Sequence, residues 1–393
     1  MKDNKIYIKN FYYCTNQVFN VSTSAEKNSE YKSKKHYDPV FGRSYMVGSP
    51  NNLKHCLRKT YYQILGIKDQ EVLMQKILQP DGNNIEENQG GVSCVPNFIE
   101  PYSTIFGLYM STSFNIKGET PKYLKMSLKS DVCLGEFKPL HPLLASTMKG
   151  GGVNNGTTNT SIILTCKKFA NDKSPISLRY EDREDIFKYI PEWKGKEINM
   201  GRNTSNHIYK EETTTGIYSY DCWANMNVFG KVNKKTIEAT GLGEDELECL
   251  LKKHGWFTQI INNDEYLVPP IDIIKREWEA WVQANFEWDW QSNNSTHGSV
   301  KEFLRCVFSL NEPQLWAQST LAEVNEDNKS AHIVVHDEFD EVKTFNSLAL
   351  KQYLTTGRDD VKYDAYAHKN AYKELVELGY KCIEDAYPKP MSE

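Results

Sequence analysis

The sequence predicts an α+β fold on three observations. Residues 5–21 space Ile6, Ile8, Phe11, Tyr13 and Val18 as a β-rich opening. Residues 49–65 carry the apolar spacing of a helix with explicit start and stop signals, and residues 206–227 form a β-rich run that ends in strand alternation.

The opening strand leads into a polar stretch, Ser22 to Tyr37, that reads as a long loop. In the helix that follows, Ser49 can accept from the free amides of the first turn, Pro50 suits the first helical position, and Gly66 supplies the stop. On a 3.6-residue wheel Leu53, Cys56, Leu57, Thr60, Tyr61 and Ile64 share one face, while Asn51, Lys54, His55, Arg58 and Lys59 share the other. The first face packs. The second is a basic stripe that can hold an anion.

A helical turn at Gln70–Leu78 and a polar excursion at 79–84 come next, then strands near Thr104–Thr112 and Ser161–Lys167. Between those strands the glycine-asparagine run from Lys149 to Gly156 reads as irregular at its centre. Its amides, with Lys149, Asn154 and Asn155, could cradle a phosphate, but it lacks the Gly-Lys-Ser/Thr ending of a nucleotide-binding loop. Residues 180–189 are a mixed-charge helix or turn, and Trp193 to Lys210 is turn-like, holding Met200, Arg202 and Asn203. The run at 206–227 closes with Tyr218, Tyr220, Cys222 and Ala224 alternating against Ser219, Asp221 and Trp223. Helices at 236–254, at 271–290 with a stripe including Trp278 and Trp281, and at Asp359–Gly379 complete the chain; the tryptophans suit a core or a subunit contact.

At 393 residues the chain can bury a sizeable core, but it is too long for one simple globule, so large insertions or a second lobe are expected. A net charge of -5 argues against coating naked nucleic acid by bulk attraction. Local basic clusters nonetheless occur at 32–36 with Arg43, at 122–129, and at Lys231, Lys234 and Lys235, while acidic groups gather at 323–327 and 336–341. Nine scattered cysteines with no Cys-x-x-Cys pair suggest neither a disulfide framework nor a zinc knuckle, and fit reduced cytoplasmic thiols. No signal segment and no run of about 18 apolar residues occurs, so a cytoplasmic protein without a membrane contact is expected. His332 and His336 sit four apart in a strand-like run, too few ligands for a metal. No catalytic elbow, metalloprotease helix or dinucleotide fingerprint is present, so no catalytic residue, metal or cofactor is expected.

The order of these segments resembles the crRNA-binding backbone subunit of CRISPR effector complexes, the Cas-seven-type family of the RAMP superfamily. In that family an early strand leads into a helix of the form S-x-x-x-K-x-x-x-R, and a later strand runs T-x-Y-x-Y before an N-x-x-x-x-G turn. Here these correspond to Ser49, Lys54 and Arg58, then Thr215, Tyr218 and Tyr220, then Asn225 and Gly230, with the serine-to-lysine gap one residue longer. Phe106-Gly107 matches an internal strand of the family and Ser174 to Ser177 the strand before its thumb; the likeness covers about 45–230 in patches.

The resemblance implies a modified RRM-like (ferredoxin-like) palm with insertions over 1–235, including a finger-like loop at about 22–45 and a thumb at about 190–212. Residues 236–393 would complete the palm and make subunit contacts. It further implies that copies of the chain stack along a CRISPR guide RNA beside other effector-complex subunits. Arg43, Ser49, Asn51, Lys54, His55, Arg58 and Lys59 would hold the guide backbone, and Met200, Arg202 and Asn203 would kink it so that its bases pair with target DNA or RNA. Two alternatives go with this reading: a type III-like cleavage of target RNA through Asp38, and a self-assembling structural protein outside CRISPR systems.

Overall fold

A computed structural model describes residues 4–17, 35–66, 75–76, 94–95, 105–114, 122–153, 161–164, 176–179, 208–235, 251–252, 254–289, 300–327, 329–354 and 360–387. The elements begin with β1 (Lys5–Gln17), the hairpin of β2 (Lys35–Asp38) and β3 (Arg43–Met46), and α1 (Pro50–Leu65). Then come β4 (Gln75–Lys76), β5 (Cys94–Val95), β6 (Leu108–Phe114), β7 (Lys122–Leu128), β8 (Val132–Leu134), β9 (Lys138–Pro139), β10 (Ala145–Val153), β11 (Ser161–Leu164) and β12 (Ile176–Arg179). The long β13 (Ile208–Asn225) is followed by β14 (Val232–Asn233), β15 (Phe257–Ile261), β16 (Asp264–Val268) and α2 (Ile271–Glu287). The chain ends with β17 (Val300–Leu310), α3 (Pro313–Gln318), β18 (Thr320–Val324), β19 (Ala331–Val335), β20 (Val342–Asn346) and α4 (Ala367–Ala386).

Contacts divide the chain into two units. One comprises Met1–Phe19, Lys34–Thr147 and Thr214–Glu393; the other comprises Asn20–Ser33 and Met148–Thr213. In the second unit β11 and β12 pair antiparallel from Ser161↔Arg179 to Leu164↔Ile176.

The main sheet has the order β10-β13-β1-β17-β20, with β8 and β9 also paired to β13. Its middle strand, β1, runs antiparallel to β13 on one side and to β17 on the other. One face is formed by Ile6, Ile8, Tyr12 and Cys14 of β1, Tyr218, Tyr220, Cys222 and Ala224 of β13, and Cys306 and Phe308 of β17, all buried in one apolar cluster. Helices α1, α2 and α4 supply the other half of that cluster, with Leu53 and Leu57, Trp278 and Trp281, and Ala371 and Leu375. Burying each large apolar side chain stabilises the fold by about 1.5–3 kcal/mol.

The other face is covered in part. Phe11, Ile217, Leu304 and Val307 pack under Ile333 and Val335 of β19 and under Leu350 and Val361. Arg305, fully buried beneath the β18–β19 hairpin, pairs with Asp337 at 2.7 Å and donates to the Ser319 carbonyl and the Thr320 hydroxyl. A buried guanidinium is tolerable only when its donors are met, and here they are met by Thr320, by Ser319 and Asp337 at the ends of the hairpin, and by the Asn346 side chain of β20.

Several sequence expectations shift. Mixed α/β structure with antiparallel sheets is found, and Tyr218, Tyr220, Cys222 and Ala224 of β13 are buried as expected, while Ser219 on the opposite face is buried too. The end of the Ser22–Tyr37 loop pairs as β2, and Gln75–Lys76 pairs with β5 as strand where a helical turn is expected. The run Lys149 to Val153, expected to be irregular at its centre, lies within β10, whose backbone pairs with β13 although glycine weakens a strand. The last helix starts later and ends later than Asp359–Gly379: Gly379 is inside α4. A side chain there would meet Trp278, since an added Cβ would lie 1.9 Å from the indole Nε1. Ile6 and Ile8 face the helices while Phe11 belongs to the second cluster, so β1 packs on both sides. The expected helix at 236–254, apart from 251–252 and 254, and the segments 180–189 and 193–207 lie outside the described residues.

Candidate nucleic-acid interface

The capped helix forms as its sequence requires. The Ser49 hydroxyl accepts from the Asn52 amide at 3.3 Å, Pro50 opens the helix, and Gly66 closes it with φ 71°, a left-handed conformation that suits glycine. Its buried face is wider than the wheel suggests, taking in Tyr62 and Leu65 besides Leu53, Cys56, Leu57 and Tyr61, because α1 packs against both α2 and β8. Thr60 and Ile64 are only half-buried.

Two motifs far apart in sequence meet in front of that cap. The Tyr218 hydroxyl of β13 donates to the Met46 carbonyl at 3.2 Å, at the end of β3. Two residues on, Gly48 and Phe137 exchange backbone hydrogen bonds at 2.8 and 3.0 Å. The approach to α1 is thus clamped by Tyr218 of β13 and by Phe137 just before β9, and the first amides of the helix have a fixed direction.

On the solvent side Asn51 and His55 are exposed, while Lys54, Arg58 and Lys59 are half-buried. Lys54 and Arg58 stand one turn apart, and among the described residues neither makes an ion pair with an acid. Burial first, and then the Arg58 charge, hold the Lys54 pKa below that of an ordinary lysine. The Arg58 Nε is buried with no hydrogen-bond acceptor among the described residues. Like charges at this spacing destabilise a helix, and partial desolvation strengthens the repulsion; an anion bridging the two would relieve both. Arg43 is exposed at the start of β3, across the hairpin from Asp38.

The structure therefore groups Ser49, Asn51, Lys54, His55, Arg58 and Lys59 on one helix, with Arg43 on the hairpin that precedes it. Lys149 falls in β10 within the second unit, and Asn154, Asn155, Met200, Arg202, Asn203 and the thumb segment up to 207 lie outside the described residues. The Asp38 Oδ1 accepts from the Val40 and Phe41 amides at 2.8 and 3.1 Å, the work of a turn residue. His332 pairs with Glu323 at 3.4 Å and His336 with Glu338 at 2.9 Å, and no group of three metal-ligating side chains occurs among the described residues. Trp278 and Trp281 are core residues. The Tyr218–Met46 contact escapes sequence reasoning, although the tyrosine's place in a recognised pattern was the available signal.

No family model and no curated protein matches the chain. Among solved structures, a chain described as "CRISPR RNA-guided surveillance complex" is similar with a TM-score of 0.36 and 10% identity, covering 95% of this chain and 98% of that one. Another, described as "CRISPR RNA-guided surveillance complex, pre-nicking", has a TM-score of 0.41 and 8% identity, covering 95% of this chain and 100% of that one. No described helix is long and apolar enough to cross a membrane.

Proposed function

We propose that the protein binds the backbone of a CRISPR guide RNA through the α1 stripe and stacks with further copies of itself along that guide. The observation that carries this reading is the pair Lys54 and Arg58: two half-buried cations, one turn apart, without an acidic partner among the described residues. Sites of that kind hold phosphate, and phosphate contacts position a nucleic acid without reading its sequence. The Ser49-capped start of α1 and Arg43 extend the same anionic path.

The topology supports the palm. Helix α1 follows β1, α2 follows β13, and β1 lies antiparallel between β13 and β17. That is the order of a β-α-β-β-α-β ferredoxin-like unit if β8 to β10 count together as its second strand. In this reading the protein acts by binding and not by catalysis, and Asp38 serves the hairpin turn, its Oδ1 accepting from the Val40 and Phe41 amides. The guide then presents its bases to target DNA or RNA, other effector subunits close the assembly in the cytoplasm, and Met200, Arg202 and Asn203 kink the guide.

The test is the double variant Lys54→Glu with Arg58→Glu. It should weaken guide binding by at least ten-fold for every spacer sequence, with an unchanged thermal midpoint. Loss that depends on the spacer, or none at all, would remove the α1 assignment.

A further inference from the structure

The sheet face opposite α1, α2 and α4 carries two large aromatics, Tyr7 at the margin of the second core and Trp223 beyond it. Tyr7 of β1 and Trp223 of β13 are direct register partners on the two central strands, both half-buried. Neither belongs to the apolar cluster under the helices or to the one under the β18–β19 hairpin. Directly paired residues share a face, so exposed Cys133 of β8 sits beside Trp223 and exposed Lys138 of β9 beside Ser219 on this same surface.

The surroundings are cationic. The Lys5 ammonium lies 5.3 Å from the Trp223 ring centroid, and Lys9 lies 5.5 Å from that of Trp316, whose ring is 5.8 Å from Tyr7. The acid among these groups, Asp221, is paired to Lys9 at 3.1 Å. Lys5, Lys9 and Lys138 outnumber the acids here, Asp221 and the exposed Glu312 beside Ser309, the register partner of Tyr7, in a chain whose net charge is -5.

We propose that Tyr7 and Trp223 form a stacking platform for single-stranded nucleic acid, with Lys5, Lys9 and Lys138 holding its phosphates. Aromatic faces stack on any base, and flanking cations follow the backbone, so such a site tolerates sequence. Lys5 exchanges a cation–π contact for a phosphate when a base arrives over the indole. The platform also adjoins the stripe on α1: that helix packs against β8, and Lys54 lies within electrostatic reach of Cys133. A strand held by α1 reaches the platform by crossing the β8 edge.

The experiment titrates the full chain, purified free of nucleic acid, with 20-nucleotide oligo-U RNA and oligo-dT DNA while following tryptophan fluorescence. Trp223→Ser and Tyr7→Ser are compared with the milder Trp223→Phe and with Lys5→Gln, and each variant's thermal midpoint is recorded. Quenching of the parent by either oligomer, a ten-fold or greater loss of affinity in a folded serine variant, and partial retention in Trp223→Phe are expected. RNA and DNA arms separate the two sources of the strand. Equal affinity in Trp223→Phe, Lys5→Gln and the parent would overturn the platform. So would absence of quenching with the variants changing only sedimentation, which would assign the face to a second copy of the chain. The variant Lys54→Glu with Arg58→Glu should still quench with short oligomers, so failure here and failure of the α1 reading are distinguishable.

Discussion

The Tyr218 hydroxyl donates to the Met46 carbonyl at 3.2 Å, tying the central strand β13 to the segment that aims α1. The same hydroxyl meets the Thr214 hydroxyl at 2.7 Å in a buried position. Removing it leaves a buried carbonyl without this donor, which costs about 1–3 kcal/mol. Tyr218→Phe should therefore lower stability by that amount and weaken guide binding, although Tyr218 touches no solvent. A folded variant with unchanged guide affinity would show that the clamp is not what positions the helix.

Gly379 of α4 faces the Trp278 ring of α2, leaving no room for a side chain. The indole N–H donates to the Leu375 carbonyl at 3.3 Å, so the ring has a fixed place in the helix layer. Gly379→Ala puts a methyl group into that ring, and overpacking of this kind costs about 2–3 kcal/mol. Chemical denaturation should show the loss in the midpoint with an unchanged slope. A neutral result would mean that the two helices separate readily.

Arg305 makes the β18–β19 hairpin sensitive to one carboxylate. Asp337→Ala leaves a fully buried guanidinium without its counter-ion, and should cost about 3 kcal/mol. Hydrogen exchange would register the loss first in residues 319–337. Uniform loss across the sheet would contradict a local anchor.

Two buried carboxyls give the fold a pH dependence. Burial, and then the neighbouring Asp131, raise the Glu277 pKa well above that of an ordinary carboxyl; burial likewise raises Asp131, against the Gly230 amide and Lys231. A carboxyl with a raised folded pKa holds its proton in the native state after the unfolded chain has released it. Its contribution is full below the unfolded value near 4.5 and is lost as the pH rises through the folded value. Lys231, lowered to about 8, works in the opposite sense above that pH. Stability should fall as the pH rises above the unfolded carboxyl value near 4.5, and Glu277→Gln should flatten the fall. An identical slope in the variant would contradict the assignment.

The parts of this structure that were legible are those whose signal is local. The cap at Ser49, the stop at Gly66 and the basic stripe follow from neighbouring residues, and the alternation of β13 shows from Tyr220 to Ala224, where its second face is not buried. What was not legible depends on partners distant in the chain. Gly379 reads as a helix stop until Trp278 is seen against it, and Tyr7 is an ordinary strand residue until pairing sets it beside Trp223. The two-sided packing of β1 hides its period for the same reason: Ile8 and Phe11 are both buried, on opposite faces.

The most direct measurement of the central claim is the ratio of absorbance at 260 to 280 nm of the protein purified after co-expression with a CRISPR array, with sequencing of whatever nucleic acid it carries. The account predicts RNA of defined length with repeat-derived ends. Protein free of nucleic acid under those conditions would contradict it and leave a self-assembling structural role in its place.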